Sequence, residues 1–348
     1  MTRSQRPTRD IRRWWRTLVI SLAGTLVAYS LAVWWQLGAA TKMTGGFQAI
    51  ADEQVIHAVA CNSPKLVYVA GSSGFYGVRC GLSKEYADRP GFNMSLHAGL
   101  GARFLLDRAR LVLKRGDLVV VGFEYELYED PEFPTFACDF ILSRDPDYFR
   151  SAPLWQQLRL VISAGPIRIA EGLVSKVLQR RPGSPSGACS RDGDRLIPEG
   201  DTQSTDLATC LPVEAIVFRP SSRITQCVAE FVDWCRRNGV EVVAVPPPRC
   251  VKAFSQSSCE DVASRVTTAM RAYWSAMGVS LLCGVDTTVY PETFALDTHY
   301  HIQPQHSADH TAKIFAIIND YLSGVSRVRT PVVDDSGGLN QKPPPTRK

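Results

Sequence analysis

The chain has 348 residues, with 45% hydrophobic, 21% charged and 9% aromatic side chains and a formal charge of +5. That length and composition exclude a disordered, collagenous or disulfide-knot protein and leave ample chain for a buried core. The positive charge belongs to the ends: residues 1–16 carry six Arg against one Asp, and the last 24 residues are net positive, so the middle is slightly acidic and no nucleic-acid surface is implied.

In chain order, a cytoplasmic basic tail (1–16) precedes TLVISLAGTLVAYSLAVWWQL (17–37), which carries no charge. At 1.5 Å per residue such a helix spans roughly 30 Å, the thickness of a bilayer core. Trp14, Trp15, Trp34 and Trp35 stand at its two ends, where an aromatic belt belongs. This reads as a single transmembrane helix. A cleaved signal peptide, cut near Ala39–Ala40, is the alternative, although the apolar run is long for one. The Arg-rich side stays cytoplasmic by the positive-inside rule, so the C-terminal part is exported. All ten cysteines lie beyond the apolar segment. An even number in an oxidising compartment predicts disulfides, with the pairing left open.

After a linker (38–60), Val-rich runs alternate with helical periods. KLVYVA (65–70), GFNMSL (91–96) and the start of DLVVVGFEYELY (117–128) read as strands, with a helix over 101–115 between the last two. Further on, 224–240 reads as a helix ended by Gly239, EVVAVPPP (241–248) as a strand, then a helix over 259–277, a strand in VSLLCG (279–284) and a helix over 305–323. Buried strands joined by helices predict a three-layer α/β domain with a mostly parallel sheet over 61–324. An insertion, 129–223, interrupts it, with a helical part near 152–180 and a Gly/Pro/Ser-rich stretch over 180–203. The tail 325–348 reads as disordered.

Chemistry in an open α/β sheet gathers beyond the carboxyl ends of the strands. Gly71-Ser72-Ser73-Gly74 follows the first strand, where a Ser begins a helix and backbone amides point at an oxyanion. Leu296-Asp297-Thr298-His299-Tyr300-His301 precedes the last helix and supplies a carboxylate and an imidazole. Asp orienting His, and His taking a Ser proton, is the division of labour of a Ser-His-Asp triad. Glu124 and Glu126, alternating at a strand end, read as salt-bridge partners. The helical pair His306 and His310 lacks the Glu of a zinc-protease motif, so no metal is assigned.

These blocks resemble the SGNH/GDSL hydrolase superfamily. More narrowly, they resemble its exported, membrane-anchored branch, which is associated with bacterial cell-surface polysaccharides and is similar to teichoic-acid D-alanylation and alginate O-acetylation proteins. The resemblance rests on Val69-Ala-Gly-Ser-Ser73, Phe92-Asn-Met-Ser-Leu-His-Ala-Gly-Leu-Gly101, Lys114 to Val121 with Glu124-Tyr-Glu126, and Asp297 to His301. It covers roughly 65–128 and 224–323. It implies an SGNH/flavodoxin-like fold and an esterase or O-acyltransferase, with acetyl as the group moved, at the bacterial inner membrane. Ser73 would be the nucleophile, Asp297 the orienting acid and His301 the base, with His299 as the other choice. Backbone N–H of Ser73 with a group at Asn93 or Gly99 would form the oxyanion hole. No cofactor is implied; the partners are a cell-surface polysaccharide and a membrane acyltransferase. The family's Gly-x-Asn-Asp block has no clean counterpart, which keeps a non-catalytic assembly protein as the alternative.

Overall fold

A computed structural model describes residues 7–39, 41, 47–129, 132–179, 188–196, 210–252 and 256–324. Helix α1 (Pro7–Gln36) takes in the apolar run and ten residues of its basic flank. Within it, Ile11–Gln36 is long and apolar enough to cross a membrane, and only 6% of its apolar window is buried, so it is not a core helix. The expected linker contains a second helix, α2 (Phe47–Ala60), whose Ile50, Ala51 and Ala58 enter the main core. This corrects the reading of 38–60: the segment has no polar face to betray an amphipathic helix, so its period gave no signal.

Strand β1 (Leu66–Val69) leads into α3 (Ser72–Gly77), α4 (Ser83–Ala87) and β2 (Gly91–Asn93). Next come α5 (Gly101–Val112), β3 (Leu118–Val121) and α6 (Tyr125–Glu129). The third apolar run therefore ends its strand at Val121, and Glu124 and Glu126 do not alternate on a strand end as expected; a helix starts between them. The insertion builds α7 (Thr135–Arg144), α8 (Pro146–Ser151), α9 (Leu154–Val177) and a short antiparallel hairpin, β4 (Ala188–Cys189) with β5 (Arg195–Leu196). The remainder is α10 (Ser222–Arg237), β6 (Glu241–Ala244), β7 (Arg249–Val251), α11 (Gln256–Ser275), β8 (Ser280–Leu281), β9 (Val289–Pro291) and α12 (Pro304–Leu322). The expectation for 325–348 lies outside the described residues, as does most of the polar stretch 180–203.

The main sheet runs β2-β1-β3-β6-β8, and every pair in it is parallel. Alternate residues feed two cores, as the two-residue strand period requires. Val67, Val69, Val119 and Val121 pack with α5, α10 and α11, while Leu66, Tyr68, Leu118, Val120 and Val243 pack with Ile314, Phe315 and Ile318 of α12. The start of the sheet is tied by a buried ion pair. Lys65 Nζ meets Asp117 Oδ2 at 2.6 Å, and the same carboxylate accepts the Lys65 and Lys114 amides at 3.0 and 2.7 Å.

The disulfide expectation is overturned. Cys61, Cys80, Cys138, Cys189, Cys210, Cys227, Cys235, Cys250 and Cys283 are all free thiols, and the Cys259 side chain lies outside the described residues. Seven of the nine are buried, where they act as small apolar core residues. Cys227 and Cys235, for example, both line the core face of α10.

Candidate active site

The carboxyl ends of β1 and β3 are in register, Val69 opposite Val121, so the segments that follow them meet. There the buried Glu124 carboxylate accepts the Gly71 amide at 2.9 Å and the Ser73 amide at 2.6 Å. Gly71 is required by this close approach, because a Cβ there would stand 2.6 Å from a Glu124 oxygen and 2.7 Å from Ala98. Burial raises the Glu124 pKa, opposed by hydrogen bonds from the Ser73 and Gly71 amides. Ser73 is fully buried, and its side chain also faces the Glu124 carboxylate, adding to the hydrogen bonds that oppose the rise in the Glu124 pKa. Ser72 is partly exposed and lies one helical turn before Tyr76, on the same face of α3.

The other expected oxyanion donors have internal partners too. Asn93 Nδ2 donates to the carbonyls of Gly74 and Val78, both at 3.0 Å, and its Oδ1 accepts the Ser95 amide at 3.0 Å. The Gly99 amide donates to His97 Nδ1 at 3.0 Å.

The loop before α12 closes on itself through Leu296 N–H to His301 O (2.7 Å) and Gln303 N–H to Phe294 O (2.9 Å). That closure brings Asp297 Oδ1 to 2.5 Å from His301 Nδ1. Part-burial raises the Asp297 carboxyl, but the His301 contact, with help from Arg195, brings it below its ordinary value. A carboxylate on Nδ1 fixes the ring proton there and leaves Nε2 as the proton acceptor. The His301 ring lies on Tyr76, centroids 4.0 Å apart and planes 10° from parallel. The Arg195 guanidinium of β5 stands 4.0 Å from the same Tyr76 ring. Nearby, burial and then the charge of His301 lower the His97 pKa.

His299 turns elsewhere, with Nε2 3.9 Å from Glu126. Glu126 also accepts the Tyr300 hydroxyl at 2.5 Å and lies 3.5 Å from Arg249. Burial would raise this carboxyl, but the His299 and Tyr300 hydrogen bonds and the Arg249 charge bring it down to about 2. His306 stacks on Phe294, and His310 is buried with Nδ1 2.8 Å from the Tyr290 hydroxyl. Among the described residues no group of three or more His, Cys, Asp and Glu side chains forms a metal site.

The structure thus joins Asp297 and His301 and sets them against the helix that carries Ser72 and Ser73. Two residues of the site carry no sequence signal for their place in it. Glu124 reads as a salt-bridge residue, and its partners are instead the amides of Gly71 and Ser73, 53 and 51 positions away. Arg195 sits in the insertion, and no motif marks it. No family model and no curated protein matches the chain.

Proposed function

We propose that the chain is a membrane-anchored serine esterase or O-acyltransferase with an SGNH/flavodoxin-like α/β domain, exported from the bacterial cytoplasm and acting on acyl esters of a cell-envelope polysaccharide. One observation carries this reading: the Asp297–His301 pair, held at 2.5 Å and stacked on Tyr76, one turn from a serine pair at the carboxyl end of β1. A parallel sheet with its chemistry beyond the strand ends supports the fold assignment. Gly122-Phe123-Glu124-Tyr125 follows β3 and keeps only the Gly of the family's Gly-x-Asn-Asp block, with Glu and Tyr where Asn and Asp would stand.

In this reading Ser73 Oγ attacks the acyl carbonyl and its proton passes to His301 Nε2. The carbon–oxygen bond to the sugar breaks, and the departing sugar oxygen takes the proton from His301. Water then cleaves the acyl-enzyme in an esterase; a sugar hydroxyl does so in a transferase. Asp297 holds the imidazole and offsets its charge. In the transferase version the acyl group, O-acetyl in this proposal, is delivered by a membrane acyltransferase partner. The bond that breaks in the first step is then the one to that donor, whose leaving group takes the His301 proton in place of the sugar oxygen.

A second reading has its own observation. The amides of Ser73 and Gly99 and the Asn93 side chain already have internal acceptors, which favours a non-catalytic assembly or polysaccharide-binding protein that keeps the fold. The test is fluorophosphonate labelling of the full-length chain in detergent, beside Ser73→Ala and His301→Ala. Labelling lost in both variants supports the hydrolase reading. Equal labelling of all three removes Ser73 from the mechanism, and a folded but unlabelled wild type favours the assembly role.

A further inference from the structure

Helix α9 exposes a broad apolar face. Its protein side sets polar groups among the core residues Leu160, Ala164 and Ile169: Arg168 is ion-paired with Asp139 and donates to Gln36 Oε1 at 2.8 Å, and Gln156 donates to the Tyr148 hydroxyl at 2.9 Å. Its outer side is mostly apolar, with Arg159, Glu171 and Lys176 the charged residues exposed on it. Leu154, Leu158 and Ile162 follow one another at i, i+4 spacing and are 71%, 55% and 76% exposed, with Trp155 alongside. At Gly165-Pro166 the helix kinks, with Gly165 at φ 73°, and beyond the kink Ile167, Val174 and Val177 continue the apolar surface. Helices of water-soluble domains keep their outer face polar, and an apolar surface of this extent needs a cover.

The neighbouring element says what covers it. The last turn of α1, the helix long enough to cross a membrane, docks on α9. Gln36 meets Arg168, Lys176 Nζ donates to the Leu37 carbonyl at 3.3 Å, and a Cβ on Gly172 would fall 2.0 Å from Gln36 Oε1. Where α1 leaves a bilayer, α9 is therefore already alongside it. Arg159, Arg168, Glu171 and Lys176 make α9 too charged to cross. The Arg159 guanidinium lies 4.7 Å from the Trp155 ring, an amphipathic pairing suited to headgroup depth.

We infer that α9 lies in the interface of the bilayer that α1 crosses, its exposed apolar face against lipid acyl chains and its buried face against the domain. The inference rests on α1 being a membrane anchor. The test places p-benzoylphenylalanine, one site at a time, at Leu26, Leu158, Ile167 and Leu111 of the full-length chain in phosphatidylethanolamine/phosphatidylglycerol nanodiscs. Leu26 reports on α1. Leu111 is an exposed residue at the end of α5, near the Lys114 bond to the far end of α2. Irradiation is expected to give lipid adducts at Leu26, Leu158 and Ile167 and none at Leu111. Adducts at Leu26 alone, adducts at Leu158 and Ile167 no more frequent than at Leu111, or crosslinks from α9 only to protein would each overturn the α9 assignment while leaving α1 as anchor. Absence of adducts at Leu26 would remove the anchor and the inference together.

Discussion

The Glu124 carboxylate takes the amide hydrogen of Ser73 at 2.6 Å, so an anion of the protein's own stands where α3 begins. A helix start offers unpaired amides and favours negative charge, and here a side chain from the neighbouring strand end supplies both partner and charge. In the hydrolase reading a substrate oxyanion has to replace this carboxylate or meet it protonated, and the burial that raises its pKa favours the protonated form.

Glu124→Ala leaves two buried amides unsatisfied and is expected to cost about 2–4 kcal/mol of stability. Glu124→Gln removes the charge and keeps an acceptor for one amide while setting its NH2 against the other, so it should also destabilise the chain. In the hydrolase reading it should label with fluorophosphonate at least as fast as wild type. Denaturant titration and labelling rates check both. An alanine variant as stable as wild type removes the capping role.

For the Asp–His pair, His301→Ala and Asp297→Asn are each expected to lower turnover of a chromogenic acetyl ester about 10³–10⁴-fold. His299→Ala should leave turnover nearly unchanged, because His299 faces Glu126. A large loss in the His299 variant with little in His301 would reverse the assignment of the base.

The two serines differ in setting. Ser73 is fully buried, with its side chain as well as its amide turned to the Glu124 carboxylate, whereas Ser72 is partly exposed on the Tyr76 face. Ser73→Ala should abolish turnover, and Ser72→Ala should reduce it only modestly. Mass spectrometry of the labelled peptide, locating the phosphonyl group on one serine, decides between them.

Lys65 and Asp117 form an ion pair with almost no solvent exposure. Removing one partner strands the other charge, so Asp117→Ala is expected to destabilise the chain by about 3–5 kcal/mol. Replacing both with apolar residues of similar volume should recover part of the loss, which a double-mutant cycle in urea measures.

Asp194, in the turn of the β4–β5 hairpin, accepts the Cys80 and Gly81 amides at 2.7 and 2.9 Å. Burial lifts its pKa to about 6 from an ordinary 3.8, against the pull of those two amides. Between these values the native chain holds more protons than the unfolded one. The contribution of Asp194 to stability is therefore complete below about pH 4 and is lost as pH rises through about 6, a change on the order of 2–3 kcal/mol. Unfolding curves of Asp194→Asn should lack this component; an unchanged pH slope would show that Asp194 titrates normally.

The sheet was legible because LVVV at 118–121 and EVVA at 241–244 are short, apolar and set between helical periods. Helix α10 was legible because its buried Ile224, Cys227, Val228, Phe231 and Cys235 follow the helical repeat. The Asp297–His301 pair was readable because a local loop brings together residues four apart. Glu124 was not, since its bonds to Gly71 and Ser73 depend on the register of β1 with β3. The free thiols show the limit of counting: the number of cysteines and the compartment carry no information on which side chains become neighbours. In α9 the helix was readable, but a helical period does not say which face meets the protein.

Val33 and Leu37 are buried in the same core as the strands of the main sheet, so α1 ends inside the domain and not on a tether. If α1 is set in a bilayer, the domain has no leash to swing on, and the Asp297–His301 pair stays at a constant stand-off from the lipid. In the hydrolase reading its catch is then confined to a thin shell of space, and a polymer substrate has to be threaded through that shell. Splicing a flexible spacer between Gln36 and Phe47 would free the domain's reach only by opening the seam between α1 and Arg168, trading packing for range.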